Sequence, residues 1–247
     1  MLLELEANVE IWDLYDENRR LTGKTMERGG KKEKGYYHLV VDVFFLNSKG
    51  ETLLQLRSKE KKNHPDAWCC TGGAAMQGED SKIACIRACE EELGFTPDMA
   101  KARILYTETS YEGCYIQDNY LIYQDMPVEK MKFQPEEVQD AQWILPEKIK
   151  ENEKMQRDMC SWANWKKVYP ILCLESMRIR IPKGIYCHYK GNRYQVEGVA
   201  LHSETLEPMV IYRALYGMEE TWVRPASMWL EWIEVKGKRV RRFEKEE

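Results

Sequence analysis

Gly73, Glu79, Arg87, Glu91, Glu92 and Gly94 stand at fixed intervals in the stretch GAAMQGEDSKIACIRACEEELGF, residues 73–95. The order is glycine, five residues, glutamate, seven residues, arginine, then a glutamate pair and a glycine. Six set positions in so short a span constrain a fold and a site far more than a run of charge does. An acidic run is ordinarily a solvated helix face, and for Glu90 alone that reading holds. Residues three and four apart share a helix face, so positions 88, 91 and 92 look one way and Glu90 another. Glu91 and Glu92 therefore form a two-carboxylate cluster. Carboxylate oxygens are what the hard cation Mg²⁺ selects, commonly through one or two protein carboxylates plus waters and phosphate oxygens. Ahead of the helix, Gly72 and Gly73 let backbone approach where side chains would collide, and Asp80 or Ser81 can cap the first turn. Loop and helix face are expected to frame one cavity.

The surrounding pattern mixes strands and helices. Residues 10–15 and 22–26 read as a strand pair about the turn DENRR, and YYHLVVDVFFLN with ETLLQLR reads as a hairpin turning at Ser48-Lys49-Gly50. A helix is expected over 81–93, strands near 103–110 and 116–124, a strand ending at Trp143–Leu145, and a helix opening at Pro146. Residues 157–178 look helical, with Pro170 kinking or splitting the run. From Ile181 the composition changes: no Asp, regular Gly punctuation, and short alternating runs such as YQVEGVAL, MVIYRAL and EWIEV, the pattern of a small all-β unit. The expected domains are 1–156, a helical connector at 157–180, and 181–247, the last folding on its own.

Composition narrows the function classes. At 247 residues and 43% hydrophobic content the chain can bury a substantial core. No run approaches the ~18–20 apolar residues of a membrane span, and the N-terminus lacks the basic start and apolar core of a signal peptide, so a cytoplasmic protein without membrane association is expected. Eight Cys with no C-x-x-C pair indicate buried free thiols rather than a zinc finger or disulfide framework. A net charge of −4 gives no global pull toward nucleic acid, and residues 181–247 balance 11 Lys+Arg against 10 Glu. Nucleic acid is the weakest of the expected partners.

The stretch 73–95 resembles the box of the Nudix family. Together with IWDLYDENRRLTGKT and LLQLRSKEKKNHPDAW, it makes the first ~155 residues similar to the branch related to isopentenyl diphosphate isomerase. The resemblance implies an α/β/α sandwich with a mixed sheet, and attack of water on a diphosphate linkage with Mg²⁺ or Mn²⁺ as cofactor. It implies that Glu91 and Glu92 are metal ligands and that Glu79 and Arg87 pair to brace helix and loop, with Arg87 otherwise facing phosphate. The family places a Glu directly after the Arg, as a metal ligand and in some members the general base; this chain has Ala88. Asp118 is then the first candidate for a third ligand, and Glu136 and Glu137 for a loop base. Arg57, Lys61 and Lys62 precede the Gly-rich loop and are candidates to bind phosphate, with ordinary surface charge the equal alternative. Isomerase activity is disfavoured: that enzyme places a reactive Cys and a metal-binding His around the residues aligning here with Gly72 and Ala74, while Cys69 and Cys70 are offset and lack a base. His38, in an apolar strand, reads as a hydrogen-bonded core residue and His64 as a loop residue.

Residues 181–247 resemble a small bacterial domain family of unknown function through GIYCHYKGNRYQVEGVALHSETLEPMVIYRALYG and TWVRPASMWLE, with Leu201 standing where an Arg is usual. The resemblance implies a small SH3-like barrel. Tyr189, His202, Tyr212, Arg213, Trp222 and Arg224 are candidates for an aromatic and basic pocket, and equally for core. Two functions compete for the whole chain: a hydrolase acting on a small-molecule diphosphate, slowed by Ala88, and a weakened scaffold that binds such a ligand and reports to the C-terminal domain. A homodimer and a further partner for the C-terminal domain are compatible with either.

Overall fold

The computed structural model describes residues 9–160 and 162–246. Elements follow in the order β1 (Ile11–Tyr15), β2 (Leu21–Glu27), β3 (His38–Leu46), β4 (Thr52–Arg57), β5 (Trp68–Cys69), β6 (Thr71–Ala74), α1 (Ser81–Leu93), β7 (Ala102–Ser110), β8 (Tyr115–Tyr123) and β9 (Val138–Ile144). Then come α2 (Pro146–Glu151), α3 (Glu153–Arg157), α4 (Trp162–Arg180), β10 (Gly184–His188), β11 (Arg193–Leu201), β12 (Pro208–Ala214), β13 (Thr221–Pro225), α5 (Ala226–Trp229), β14 (Trp232–Val235), β15 (Lys238–Arg241) and β16 (Phe243–Lys245). The chain divides into two compact units, one of Met1–Asn47, Leu53–Trp143 and Asp158–Cys160, the other of Ser48–Thr52, Ile144–Arg157 and Ser161–Glu247. No helix among the described residues is long and apolar enough to cross a membrane.

In the first unit β1 and β2 form a separate hairpin, and a seven-stranded sheet runs β5-β4-β3-β8-β7 with β6 paired to β3 and β9 to β4. Strands β3 and β8 are parallel from His38 opposite Tyr115 to Leu46 opposite Tyr123, whereas β7 and β8 are antiparallel. The sheet is therefore mixed. Alternation along β3 sends Leu39, Val41, Val43 and Phe45 into one core with Ile116, Tyr120 and Ile122 of β8. Helix α1 covers that core with Ala84, Cys85, Cys89 and Leu93, residues spaced for one helical face. Asp80 caps α1 by accepting from the Ile83 amide at 2.8 Å, and Gly94 ends it in the left-handed conformation. A side chain at Gly94 would also meet Lys132 O at 2.5 Å.

One helical reading changes and one is resolved. The helix opening at Pro146 breaks at Asn152, whose side chain accepts from the Met155 amide and starts α3. Helix α4 runs through Pro170, so of the two alternatives the proline does not split the run.

The second unit carries an antiparallel sheet in the order β13-β12-β11-β10-β16 and a small β14–β15 hairpin. Its core gathers Tyr186, Val196, Val199, Val210, Trp229 and Phe243, and Trp229 stacks on Phe243 with ring centroids 3.8 Å apart. Met177 of α4 and Ile181 just beyond it belong to the same core. The β-unit thus recruits residues from the segment expected to be a connector.

Candidate active site

Helix α1 and strand β6 bring the spaced residues together. Arg87 donates from Nε to Glu79 Oε1 at 2.7 Å, from Nη1 to Glu91 Oε2 at 2.8 Å and from Nη2 to the Ala74 carbonyl at 2.8 Å. Glu79 also accepts from the Met76 amide at 2.9 Å. Burial works against a charged Glu79, yet the Arg87 guanidinium and the Met76 amide outweigh it and hold the carboxyl below its ordinary range. One guanidinium thereby ties the helix to the glycine loop.

Glu92 lies one turn beyond Ala88 on the buried side of α1, and its residue is 9% exposed. Its Oε2 accepts from Gln55 Nε2 at 2.8 Å and from the Gly72 amide at 3.2 Å, while Thr71 Oγ1 donates to Gln55 Oε1 at 3.0 Å. Burial pushes Glu92 up to about 7 despite those two donors. Glu91 is its more open neighbour, with a side chain 46% exposed.

A cavity of about 500 Å³ opens where these groups meet. Arg57, Lys61, Gly72, Gly73, Glu91 and Glu92 all line it, with Arg87 and Ala88 beside them. Gly72 is imposed by the sheet, since a Cβ there would lie 2.3 Å from the Val41 carbonyl oxygen, whereas a Cβ at Gly73 would meet nothing within 4 Å. Arg57 leaves a buried Nε without a hydrogen-bond partner. Lys62 is exposed and outside the lining.

Two expected site residues fall elsewhere. Asp118 on β8 does not line the cavity: its carboxylate is buried, accepts from Arg19 Nη1 at 2.7 Å and from Thr107 Oγ1 at 2.6 Å, and forms an ion pair with Arg19. Burial opposes its charge, but Arg19, Ser81 and Thr107 together hold it below the ordinary carboxylate range. It is a structural anion rather than a third ligand. Glu136 is exposed and also outside the lining, because the turn before β9 sends its neighbour Glu137 inward to pair with Lys61.

Sequence reasoning missed Gln55. The signal was present, since a glutamine interrupts the apolar run LLQLR of a buried strand and requires a polar partner there. Trp12 of β1 and Gln134 also line the cavity without a motif to mark them.

The thiols beside the site are inert. Burial, with Glu92 nearby, pushes Cys69 up to about 12, and burial raises Cys70 well above a free thiol. His38 stacks on Trp12 with centroids 4.4 Å apart and donates from Nδ1 to the Cys114 carbonyl at 3.0 Å, a core residue as its strand context implies.

A model described as the NUDIX domain matches residues 36–163, more than half of the chain. The chain belongs to the Nudix family. A second model, described as protein of unknown function (DUF1653), matches residues 184–245 and gives this Nudix protein its C-terminal domain. An uncharacterized Nudix hydrolase of Listeria monocytogenes is 39% identical over 142 residues, covering 57% of this chain and 83% of the relative. An isopentenyl-diphosphate Delta-isomerase of Pectobacterium atrosepticum is 37% identical over 84 residues, 33% of this chain and 45% of that protein. A crystal structure of a DUF1653 protein from Bordetella bronchiseptica is 33% identical, covering 26% of this chain and 83% of that one, with a TM-score of 0.24. The Nudix box is intact in this chain apart from Ala88.

Among the described residues no group of three or more His, Cys, Asp or Glu side chains is arranged to hold a metal ion. The two carboxylates Glu91 and Glu92 line the same cavity. That set suits a hard cation completed by water and phosphate oxygens, and the raised Glu92 marks a buried carboxylate that a cation would hold charged.

Proposed function

We propose that this cavity hydrolyses a diphosphate linkage in a small molecule, with Glu91 and Glu92 holding Mg²⁺ or Mn²⁺. The observation that carries the reading is that the acidic pair and two basic side chains, Arg57 and Lys61, face one cavity of about 500 Å³. When bound, the cation supplies charge against a phosphoryl oxygen and lowers the pKa of a water. Lys61 and Arg57, which line the cavity, attract the phosphates by their charge. Gly73 leaves the approach open, and Glu79 with Arg87 keeps the loop and helix in place. Glu137 is the carboxylate set to take a proton from an attacking water, in place of the Glu missing at Ala88. Loss of a general base typically slows a reaction ~10²–10⁴-fold, so the enzyme is slow unless Glu137 replaces it. The substrate is a nucleoside diphosphate joined to another group, or a prenyl-type diphosphate.

A second reading, a scaffold that binds a diphosphate without turnover, is favoured by Ala88 alone. An isomerase is disfavoured by the raised thiols of buried Cys69 and half-buried Cys70. Phosphate release from nucleotide sugars, dinucleotides, nucleoside triphosphates and prenyl diphosphates, assayed with Mg²⁺ and with Mn²⁺, separates these outcomes. Metal-dependent release from any of them supports the hydrolase; binding with no release supports the scaffold.

A further inference from the structure

The C-terminal sheet ends in an open aromatic pocket that includes the guanidinium of Arg224. Directly opposed residues of antiparallel strands project to the same face. Tyr212 opposes Trp222 and Val210 opposes Arg224, so the two β13 side chains project from the same face as the core residues Val210 and Tyr212. Yet Trp222 is 56% exposed and Met218 beside it 87%. The core face therefore runs out past its cover at the edge strand. There it forms a pocket of about 450 Å³ lined by Tyr194, Tyr212, Tyr216, Met218, Trp222 and Arg224. Of the six residues expected to build a pocket in this domain, Tyr212, Trp222 and Arg224 do so. Arg213 instead pairs with Glu219 at 2.7 Å, His202 accepts from the amides of Glu204 and Thr205, and Tyr189 packs on His188.

Arg224 sets the chemistry. Its guanidinium lies 5.7 Å from the centre of the Phe243 ring, and its Nε is buried with no hydrogen-bond partner. A buried donor left unpaired is costly, and a guanidinium fork matches a carboxylate or phosphate. Trp222 and Tyr216 offer exposed ring faces on which a planar group can stack, and Tyr194 and Tyr216 share a hydroxyl–hydroxyl contact at 2.7 Å that fixes one wall. Glu220 at the exposed rim adds a negative charge that disfavours a polyanion. The volume is that of a small-molecule site.

We propose that this pocket binds a small aromatic anion, its planar ring on Trp222 and its carboxylate or phosphate on Arg224. The pocket lies wholly within the C-terminal domain and is independent of the hydrolase reading. The test is calorimetry and tryptophan fluorescence on the full chain with four probes: adenosine monophosphate, anthranilate, adenosine and inorganic phosphate. Adenosine monophosphate or anthranilate binds saturably, the tighter of the two identifying phosphate or carboxylate as the anchor, and neutral adenosine binds at least about tenfold more weakly. Arg224→Gln and Trp222→Ala each weaken the anion about tenfold or more, and Lys62→Gln, exposed and outside both cavities, leaves it unchanged. Trp222 is exposed, so its variant keeps the test valid if Arg224→Gln unfolds. The proposal is overturned if neither anion binds, if adenosine binds as tightly, or if the two pocket variants bind the anion no more weakly than Lys62→Gln does. Tighter binding of a single-stranded oligonucleotide than of the mononucleotide also overturns it.

Discussion

Gln55 donates to the Glu92 carboxylate at 2.8 Å while accepting from the Thr71 hydroxyl at 3.0 Å, so one strand amide fixes the acid end of the cavity. Gln55→Leu removes both bonds at a buried position and leaves a carboxylate and a hydroxyl with fewer partners. Stability should fall by about 1–3 kcal/mol, read by urea denaturation. An unchanged midpoint would mean that water replaces the amide and that the strand does not position Glu92.

Glu92→Gln keeps the shape and removes the charge, so the fold should survive. Metal-dependent turnover should drop on the order of 10²-fold, because charge aimed at the reacting phosphate is lost. Glu136→Gln, outside the cavity, should leave turnover within a factor of two or so, and Glu137→Gln should not. A Glu92→Gln protein as active as the parent removes the metal assignment.

Ala88 lines the cavity yet is only 3% exposed, with its methyl at the position of the Glu in the Nudix box pattern. Ala88→Glu should tighten Mg²⁺ binding in calorimetry and raise turnover on any substrate found. Failure to bind metal more tightly would show that the cavity has diverged beyond this one side chain, in favour of the scaffold reading.

His38 supplies a pH dependence separate from the site. Burial lowers it to about 4 from the 6.5 of a free imidazole, so the folded state resists a proton that the unfolded state accepts. The stability it contributes is full above pH 6.5 and is lost as pH falls toward 4, on the order of 3 kcal/mol in all. His38→Phe can keep the stack on Trp12, and the Cys114 carbonyl keeps its bond from the residue 38 amide at 3.2 Å. Between pH 7 and 4 the denaturation midpoint of the parent should fall relative to that of His38→Phe, the gap widening toward the acid end; parallel curves would refute the assignment.

The packing of Met177 of α4 into the C-terminal core bears on the expectation that 181–247 folds alone. A fragment beginning at 181 loses Met177, and removing a buried Met side chain costs about 2–5 kcal/mol, a large share of a small domain's stability. Residues 162–247 should give a cooperative thermal transition by circular dichroism, and 181–247 a much lower one or none. Equal midpoints would show α4 to be dispensable.

What could be read from the chain follows from how local each signal is. Helix α1, its Asp80 and Gly94 caps and the Glu79–Arg87 brace are written within twenty or so residues, where spacing fixes geometry. The apolar run of β3 likewise announced a buried strand. Asp118 misled because an acid in a strand looks the same whether it meets a cation in the cavity or Arg19 from a turn 99 residues away. Glu136 and Glu137 differ only in which way a turn points them, and the all-β pattern beginning at 181 gave no hint of the helix that completes its core. Tertiary contacts decide such cases, and they leave no local mark.

The pressure of β6 on β3 at Gly72 limits what can stand there. With the Val41 carbonyl 2.3 Å from where a Cβ would sit, no thiol can be installed at residue 72 unless the two strands first move apart. Asp42 Oδ1, at 2.9 Å from the same point, narrows the opening further. A side chain at residue 72 therefore requires β6 to shift against β3, so this position changes the cavity only together with the backbone.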